Sequence, residues 1–172
     1  PGADGELALR LGLRLAKGFP EAAARRLVAA RVAPGFRDVS SLAAHAQLDR
    51  RELGCLAAAG ALERLAGHRH RAAWHVAGVE APLELIPEPC VAEGIPLLRA
   101  PREGEDIVAD YAHTGLTLRR HPLAVLRPRL EARGIVTAAR LRELPNGATV
   151  RTAGLVITRQ RPGSEQGVTF VT

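Results

Sequence analysis

The stretch Lys17-Gly18-Phe19-Pro20-Glu21-Ala22-Ala23-Ala24-Arg25-Arg26-Leu27 is the strongest indication of the fold. A glycine followed by a hydrophobe and a proline predicts a tight turn that opens directly into a helix, because proline suits the first helical turn. Ala24 and Leu27 then fall on one face of that helix, where a small residue lets a partner helix approach. The start of the helix presents unpaired amides and the positive end of the dipole, which together form an anion site.

This spacing is close to that of a helix-hairpin-helix, a unit that binds DNA without sequence specificity. The motif has glycine at its third position, whereas this chain has Pro20, which removes one amide that could donate to a phosphate. We therefore expect weaker phosphate binding than in the ideal motif. The stretch alone leaves two interpretations open: contact with a backbone phosphate, or a buried helical hairpin without a ligand.

A second, degenerate copy of the same skeleton follows at residues 47–56. Asp49 takes the place of Pro20, and Asp49 with Glu52 predicts a capping box for the second helix. An acidic cap occupies the place that a phosphate would take. We therefore expect the second copy to be structural, although the two arginines that follow Asp49 can still reach DNA.

Composition and charge favour a helical protein with a polyanionic partner. Hydrophobic residues make up 47% of the 172 residues, and the dominance of Ala, Leu and Arg favours helices. The net charge of +6 fits a partner such as DNA, although an arginine-rich background composition gives the same value. Residues 1–78 carry 12 Lys/Arg against 7 Asp/Glu and residues 79–105 carry 2 against 6, so we expect the basic part to be the first.

The sequence gives no indication of a metal site, a redox site or a membrane-spanning segment. Cys55 and Cys90 form no metal or redox motif, and His68, His70 and His75 lack the carboxylate or cysteine partners of a metal site. No stretch is long enough to cross a membrane and no signal peptide is visible, so we expect a cytoplasmic protein. Without an initiator Met, the chain is expected to be part of a larger protein.

The pattern along the chain predicts a mainly α fold with a small β portion. Helices are expected at 20–32, 39–46, 50–59, 68–77, 104–113, 122–133 and 138–143. The Val, Ile and Thr content predicts strands at 149–160 and 168–172. Residues 7–16 alternate at period two, which indicates an extended segment, although an Ala/Leu/Arg helix competes with it.

Two of these helices also have predicted faces. Arg25 and Arg26 are expected to point outward. The residues expected to face the core are Ala24, Leu27 and Val28 in the first helix and Ile107, Val108 and Tyr111 in helix 104–113. Asp106 and Asp110 share one helix face at i, i+4, and we expect them to be simply solvated.

Four pieces of the chain, taken in order, resemble one family. They are Arg10–Leu13 leading into Lys17-Gly18; Leu56–Glu63; Asp110–Leu118 followed by His121-Pro122-Leu123; and Val150–Val156 running into Gly167–Thr172. On these residues the chain resembles the C-terminal portion of a bacterial C-family DNA polymerase α subunit. It is most similar to the error-prone branch used in damage-induced translesion synthesis (DnaE-like, ImuC type), as the phrase Glu105–Tyr111 with Leu118–Leu123 indicates.

The resemblance implies a domain organisation and a division of labour. It implies a tandem helix-hairpin-helix domain over 1–78, a Pro-rich linker over 79–104, a helical connector over 105–147 and the start of an OB-fold over 148–172. In that family the hairpins grip duplex DNA and the OB-fold engages the single-stranded template. The parent protein would be a DNA-directed DNA polymerase that uses Mg²⁺. Its catalytic carboxylates would lie upstream, leaving this chain with no catalytic residue, metal or cofactor.

Two functions of different class follow. The first is non-sequence-specific duplex-DNA binding in an error-prone polymerase, with backbone phosphates held by hairpin amides and basic side chains. The residues expected to contact DNA are Lys17, Gly18, Phe19, Arg25, Arg26, Arg50, Arg51, Arg69 and Arg71. The alternative is a protein-interaction module that docks the polymerase to a sliding clamp or to accessory mutagenesis proteins. Its docking surface would be the apolar segment 83–98 or the strand edge at 168–172.

Overall fold

The computed structural model describes residues 11–31, 35–79, 96–161, 163 and 169–172. Within those ranges the chain forms eight helices and four short strands, which confirms the prediction of a mainly α fold with a small β portion. The residues group into two units, Pro1–Arg119 and Arg120–Thr172. None of the helices in the described ranges has the length and apolar character needed to span a membrane.

The first unit is helical. After a 3₁₀ turn at Leu13–Leu15 come six helices: α1 (Glu21–Ala29), α2 (Val39–Ala46), α3 (Arg50–Ala58), α4 (Glu63–Ala66), α5 (Arg69–Ala77) and α6 (Glu103–His113). The predicted cap of α3 is present, since Asp49 accepts the N–H of Glu52 at 2.7 Å, and Asp38 likewise accepts the N–H of Ser41 at 2.7 Å at the start of α2. These local hydrogen bonds set where α2 and α3 begin.

The core of the first unit lies where α1, α2, α3 and α5 pack together. Its largest fully buried side chains are Leu53, Leu56 and Val39, and the partly buried Phe36 packs against the core. Much of the remaining core is alanine, which lets helix backbones approach closely. The helix α6 packs against α3 and therefore belongs to the first unit, while residues 80–95 of the predicted linker lie outside the described residues.

The predicted extended segment at 7–16 is wrong in its described part, where the chain turns instead. The N–H groups of Leu15 and Ala16 bond back to the carbonyls of Gly12 and Leu13 at 3.1 Å. The backbone polar groups of this segment are thus satisfied locally, without a neighbouring strand.

Two predicted helix faces are also partly wrong. Val28 is 63% exposed and Val108 is 70% exposed, whereas Ala23, which was not predicted to face the core, is buried and Ile107 is buried as predicted. Tyr111 is likewise exposed. The predicted face of the first helix was displaced by about one residue, because the sequence of an alanine-rich helix leaves the centre of its apolar stripe poorly defined.

The second unit consists of α7 (Pro122–Glu131), β1 (Ile135–Val136), α8 (Ala138–Leu141), β2 (Arg151–Thr152), β3 (Arg159–Gln160) and β4 (Phe170–Val171). Strand β1 pairs in parallel with β2, with Ile135 opposite Arg151. Strand β3 pairs antiparallel with β4, with Arg159 opposite Val171. The strands are shorter than predicted and β1 was not predicted. The OB-fold and the predicted domain boundaries stay predictions.

Candidate nucleic-acid interface

The start of α1 is the most exposed set of unpaired backbone donors that the sequence singled out. Gly18 takes a positive φ of 75°, which turns the chain so that Phe19 packs against the core. Pro20 then occupies the N-cap position and offers no side-chain acceptor. In the described part of the chain, the amides of Glu21 and Ala22 have no acceptor, and both residues are exposed.

Three other helices of the first unit begin differently, whereas α4 and α6 share with α1 an N-cap residue whose side chain accepts no hydrogen bond. Asp38, Asp49 and His68 each accept a backbone N–H in the first turn of α2, α3 and α5 respectively. Asp49 occupies the position of the second hairpin that corresponds to Pro20. The two copies therefore differ in whether a side chain caps the helix that follows. The α1 start therefore combines a dipole end with free amides, which is the arrangement that binds an anion.

Lys17 ties the first hairpin to α6. Its backbone N–H donates to the carbonyl of His113 at 2.9 Å, and its Nζ donates to the carbonyl of Ala112 at 2.7 Å. A cation at this position complements the negative end of the α6 dipole. Lys17 is exposed, and its ammonium group carries three N–H donors. One of them binds the Ala112 carbonyl, so two remain for a further acceptor.

The two arginines of α1 have different surroundings. Arg25 lies on the surface and pairs with Glu21 at 2.7 Å, one helical turn away. Arg26, which we expected to point outward, instead donates to both carboxylate oxygens of Glu52 at 2.9 and 2.8 Å. The outward prediction for Arg26 is wrong, because the capping carboxylate of α3 lies within its reach.

Arg51 lies close to the first hairpin. A Cβ built on Gly18 would stand 3.5 Å from the sulfur of Cys55 in α3, and Arg51 lies four residues before Cys55 on the same face of that helix. Arg51 is exposed, and the described residues offer it no hydrogen-bond partner. Arg50, its neighbour, donates to the carbonyl of Val79 at 3.1 Å.

Arg69 is buried, with 8% of its surface exposed. Its guanidinium contacts Asp106 Oδ1 at 2.8 Å and Asp110 Oδ1 at 2.6 Å. The prediction that these two aspartates are simply solvated is therefore wrong: they face the unit's interior and bind α6 to α5. Arg71, which was also expected to contact DNA, is half-buried.

A second arginine completes this ion cluster. Arg119 contacts Asp106 Oδ2 at 3.1 Å and Glu63 Oε1 at 3.0 Å, and the Thr117 hydroxyl donates to Asp110 Oδ2 at 2.7 Å. The cluster joins α4, α5, α6 and the segment after α6. Sequence reasoning missed it, although the i, i+4 spacing of Asp106 and Asp110 was a signal that an opposing basic residue could satisfy both.

The cluster also explains one glycine. Gly60 has a positive φ of 73°, and a Cβ built there would lie 2.7 Å from Arg69 Nη2. The Arg69 side chain therefore passes directly over the Gly60 backbone. Both the backbone conformation and the available space require glycine at this position.

The described residues contain no group of three or more His, Cys, Asp or Glu that could hold a metal ion. The acidic side chains of the cluster are occupied by arginine, and this matches neither the geometry nor the charge of a divalent-cation site. At the start of α6, the Arg99 guanidinium and the Arg102 N–H donate to Glu105. These hydrogen bonds hold the pKa of the Glu105 carboxyl below its ordinary value and raise the pKa of Arg99.

Comparison with known proteins finds similarity to a helix-hairpin-helix motif and to error-prone DNA polymerases. A family model described as a helix-hairpin-helix motif matches residues 3–72. The chain is 58% identical, over 96% of its length, to an error-prone DNA polymerase of Methylococcus capsulatus. It is 57% identical over 98% of its length to that of Alkalilimnicola ehrlichii and 54% identical over 100% to that of Azoarcus sp.. The chain spans 16% of the length of each of these relatives. No solved structure is significantly similar to it.

Proposed function

We propose that this chain, which corresponds over nearly its whole length to a segment of bacterial error-prone DNA polymerases, binds the phosphate backbone of duplex DNA through its first hairpin and the start of α1. The observation that carries the proposal is the uncapped N-terminus of α1, directly after the turn at Gly18. The match of residues 3–72 to a helix-hairpin-helix motif supports it.

The proposed contacts combine amides with nearby charge. The exposed amides of Glu21 and Ala22 receive a phosphate oxygen, and Lys17 and Arg51 add positive charge beside the hairpin. Arg25 contributes by releasing Glu21 and binding a phosphate instead. The exposed ion pair with Glu21 that it gives up is weak in water. Phe19 positions the turn by packing on the core. Gly18 provides the conformation of the turn.

Three of the arginines that the sequence predicted to contact DNA are excluded from the proposed contacts or contribute only weakly. Arg69 is buried in the ion cluster, and Arg26 is committed to Glu52. Arg50 is bound to a backbone carbonyl and would have to exchange that bond. Because the remaining contacts address phosphates alone, binding should be independent of base sequence and steeply dependent on salt.

The sharpest test places an aspartate at position 20 of the first hairpin, as the second hairpin has at position 49. In the Pro20→Asp variant a carboxylate caps the α1 amides and repels phosphate. Fluorescence anisotropy with a 20-base-pair duplex at several salt concentrations should show weaker binding than for Pro20→Asn, which has the same shape without the charge. Both variants should unfold at or above the urea midpoint of the unaltered chain, since each adds an N-cap.

The proposal fails if Pro20→Asp and Pro20→Asn bind the duplex as tightly as the unaltered chain. Arg51→Gln supplies an independent check, with Arg37→Gln as its control, since Arg37 is an exposed arginine of the first unit outside the hairpin. Arg51→Gln should lower the slope of log K against log salt by about 1, and Arg37→Gln should leave it unchanged. Two duplexes of unrelated sequence should bind equally.

At the level of the whole protein we propose a cytoplasmic DNA-directed DNA polymerase in which this segment holds DNA. The polymerase chemistry, with its Mg²⁺, is not assigned to these residues. Asp106 and Asp110 do not fit that role, because Arg69 and Arg119 occupy their carboxylates. Primer extension by the 172-residue chain alone should therefore be undetectable.

Protein docking is a second candidate because of the exposed apolar surface near β3 and β4. Ile157 is 82% exposed, and Phe170 and Val171 are 50% and 58% exposed. A sliding clamp or an accessory mutagenesis protein is the proposed partner. Sedimentation of the chain with a purified clamp should show a complex that Ile157→Ser/Val171→Ser weakens. Sedimentation of the two as separate species would exclude clamp docking by this chain.

A further inference from the structure

The net charge of the chain is carried by the second unit. Residues 1–119 contain 15 Lys/Arg and 15 Asp/Glu, which is a formal charge of zero. Residues 120–172 contain 9 Arg and 3 Glu, which is +6 and equals the charge of the whole chain. Residues 1–78 are basic, as expected, but the acidic residues that follow in the sequence bring the total for residues 1–119 to zero.

Three of the second unit's arginines lie in or beside the β1–β2 pair. Arg133 precedes β1, and Arg151 lies opposite Ile135 in the parallel ladder, with its Nη1 3.5 Å from the Arg133 carbonyl oxygen. Arg140, in α8, lines the same shallow cleft as Ile135 and Thr137. We call Arg133, Arg140 and Arg151 the β1–β2 arginine group. All three are exposed.

Little within the described residues neutralises this group. Only Arg140 has an ion-pair partner there, the exposed Glu143, and exposed pairs of this kind are readily exchanged. Glu131 also lines the cleft. Three exposed arginines, one in the strand pair and two close to it in the chain, suit a run of phosphates, which arginine binds in a bidentate manner.

We propose that the β1–β2 arginine group is a second contact surface for the phosphate backbone of duplex DNA. The partner is taken from the proposed function, but the surface belongs to the other unit and does not depend on the first hairpin. A duplex fits better than a single strand, because single-strand sites stack bases on aromatic side chains. The only Phe, Trp or Tyr of 120–172 is Phe170, and it lies in β4, which pairs with β3 and not with β1–β2.

The test compares two charge-matched triple variants of the full chain. Arg133→Gln/Arg140→Gln/Arg151→Gln removes the group, and Arg31→Gln/Arg37→Gln/Arg64→Gln removes three exposed arginines of the first unit. Anisotropy titrations with a 20-base-pair duplex give the slope of log K against log salt. The first triple should lower the slope by about 2 to 3, since each phosphate contact accounts for about 0.9. The control triple should lower it by less than about 1.

Equal slopes for the two triples would overturn the proposal, provided that circular dichroism and the urea midpoint show both variants folded. A 20-nucleotide single strand and polyglutamate serve as further probes. If the arginine triple weakens binding only to the single strand, the duplex assignment is overturned. If it weakens binding only to polyglutamate, the partner is an acidic protein instead. If Pro20→Asp weakens duplex binding and the arginine triple does not, only the present proposal fails; the converse result removes only the hairpin site.

Discussion

The guanidinium of Arg26 in α1 donates to both carboxylate oxygens of Glu52 in α3, at 2.9 and 2.8 Å. Glu52 simultaneously accepts the N–H of Asp49 at 3.0 Å and so closes the capping box of α3. A basic residue of the first hairpin therefore holds the cap of the second. The two copies are joined by a charge pair in addition to their shared apolar core.

This pair predicts a measurable coupling. Arg26→Gln leaves the Glu52 carboxylate, whose side chain is 11% exposed, without its charged partner, and should lower the free energy of unfolding by about 1 to 3 kcal/mol. Because Arg26 is partly exposed, a value near the lower end is expected. Urea unfolding of Arg26→Gln, Glu52→Gln and the double variant forms a double-mutant cycle, in which strictly additive losses would exclude the coupling. Arg25→Gln, at the exposed pair with Glu21, is the control and should lose less than about 0.5 kcal/mol.

Gly60→Ala should be strongly destabilising. The new Cβ would meet Arg69 Nη2 at 2.7 Å and would sit on a backbone with φ of 73°, so a loss of more than about 1 kcal/mol in urea unfolding is expected. Gly104→Ala is the matched control, since Gly104 lies inside α6 with nothing within 4 Å of the built Cβ. It should be neutral or stabilising by up to about 1 kcal/mol. Equal effects of the two substitutions would contradict the packing of Arg69 over Gly60.

Removing Arg69 should loosen α6. Arg69→Met leaves Asp106 and Asp110 with less positive charge in a largely buried place, and breaking a buried pair from one side costs about 3 to 5 kcal/mol. Hydrogen exchange should show faster opening of α6 than of α2, because the cluster binds α6 but not α2. Glu143→Gln, at an exposed pair, should change stability by less than about 1 kcal/mol. A stable Arg69→Met variant with a well-protected α6 would show that apolar packing alone holds that helix.

Glu105 predicts a pH dependence. Its carboxyl accepts from the Arg99 guanidinium and the Arg102 N–H, and the pKa in the folded chain is lowered. Its stabilising effect should therefore be complete above the ordinary glutamate pKa and be lost as the pH falls through the lowered value. An NMR titration of the side-chain carboxyl should place its pKa below that of an unfolded glutamate, and Arg99→Gln should return it toward the ordinary value. An unshifted Glu105 titration would contradict the hydrogen bonds at the start of α6.

Much of the helical framework could be predicted from the sequence because helix ends are set by neighbours. Asp49 caps α3 as expected, Asp38 caps α2, Thr137 caps α8, and Gly134 follows α7 with a positive φ. Each of these features depends on hydrogen bonds or dihedral angles within about four residues. The short α4 and the β1 strand were missed, since neither has a periodic pattern long enough to read.

The candidate interface could be predicted only in part. Gly18, Pro20 and the α1 start follow from the hairpin motif, and the structure gives α1 an N-terminus without a side-chain cap. The roles of the arginines could not be read in the same way. A surface arginine and a buried one look alike in a sequence when the helix around them is rich in alanine.

The sequence by itself determined where the helices begin, the turn at Gly18 and the difference between Pro20 and Asp49 at the two hairpins, because these depend on residues close together in the chain. Only the tertiary structure decided which charges remain available. It placed Arg69 against Asp106, 37 positions away, and Arg26 against Glu52, 26 positions away. A guanidinium binds whichever carboxylate the packing of helices brings within reach, and that choice is made by long-range contacts that local sequence does not encode.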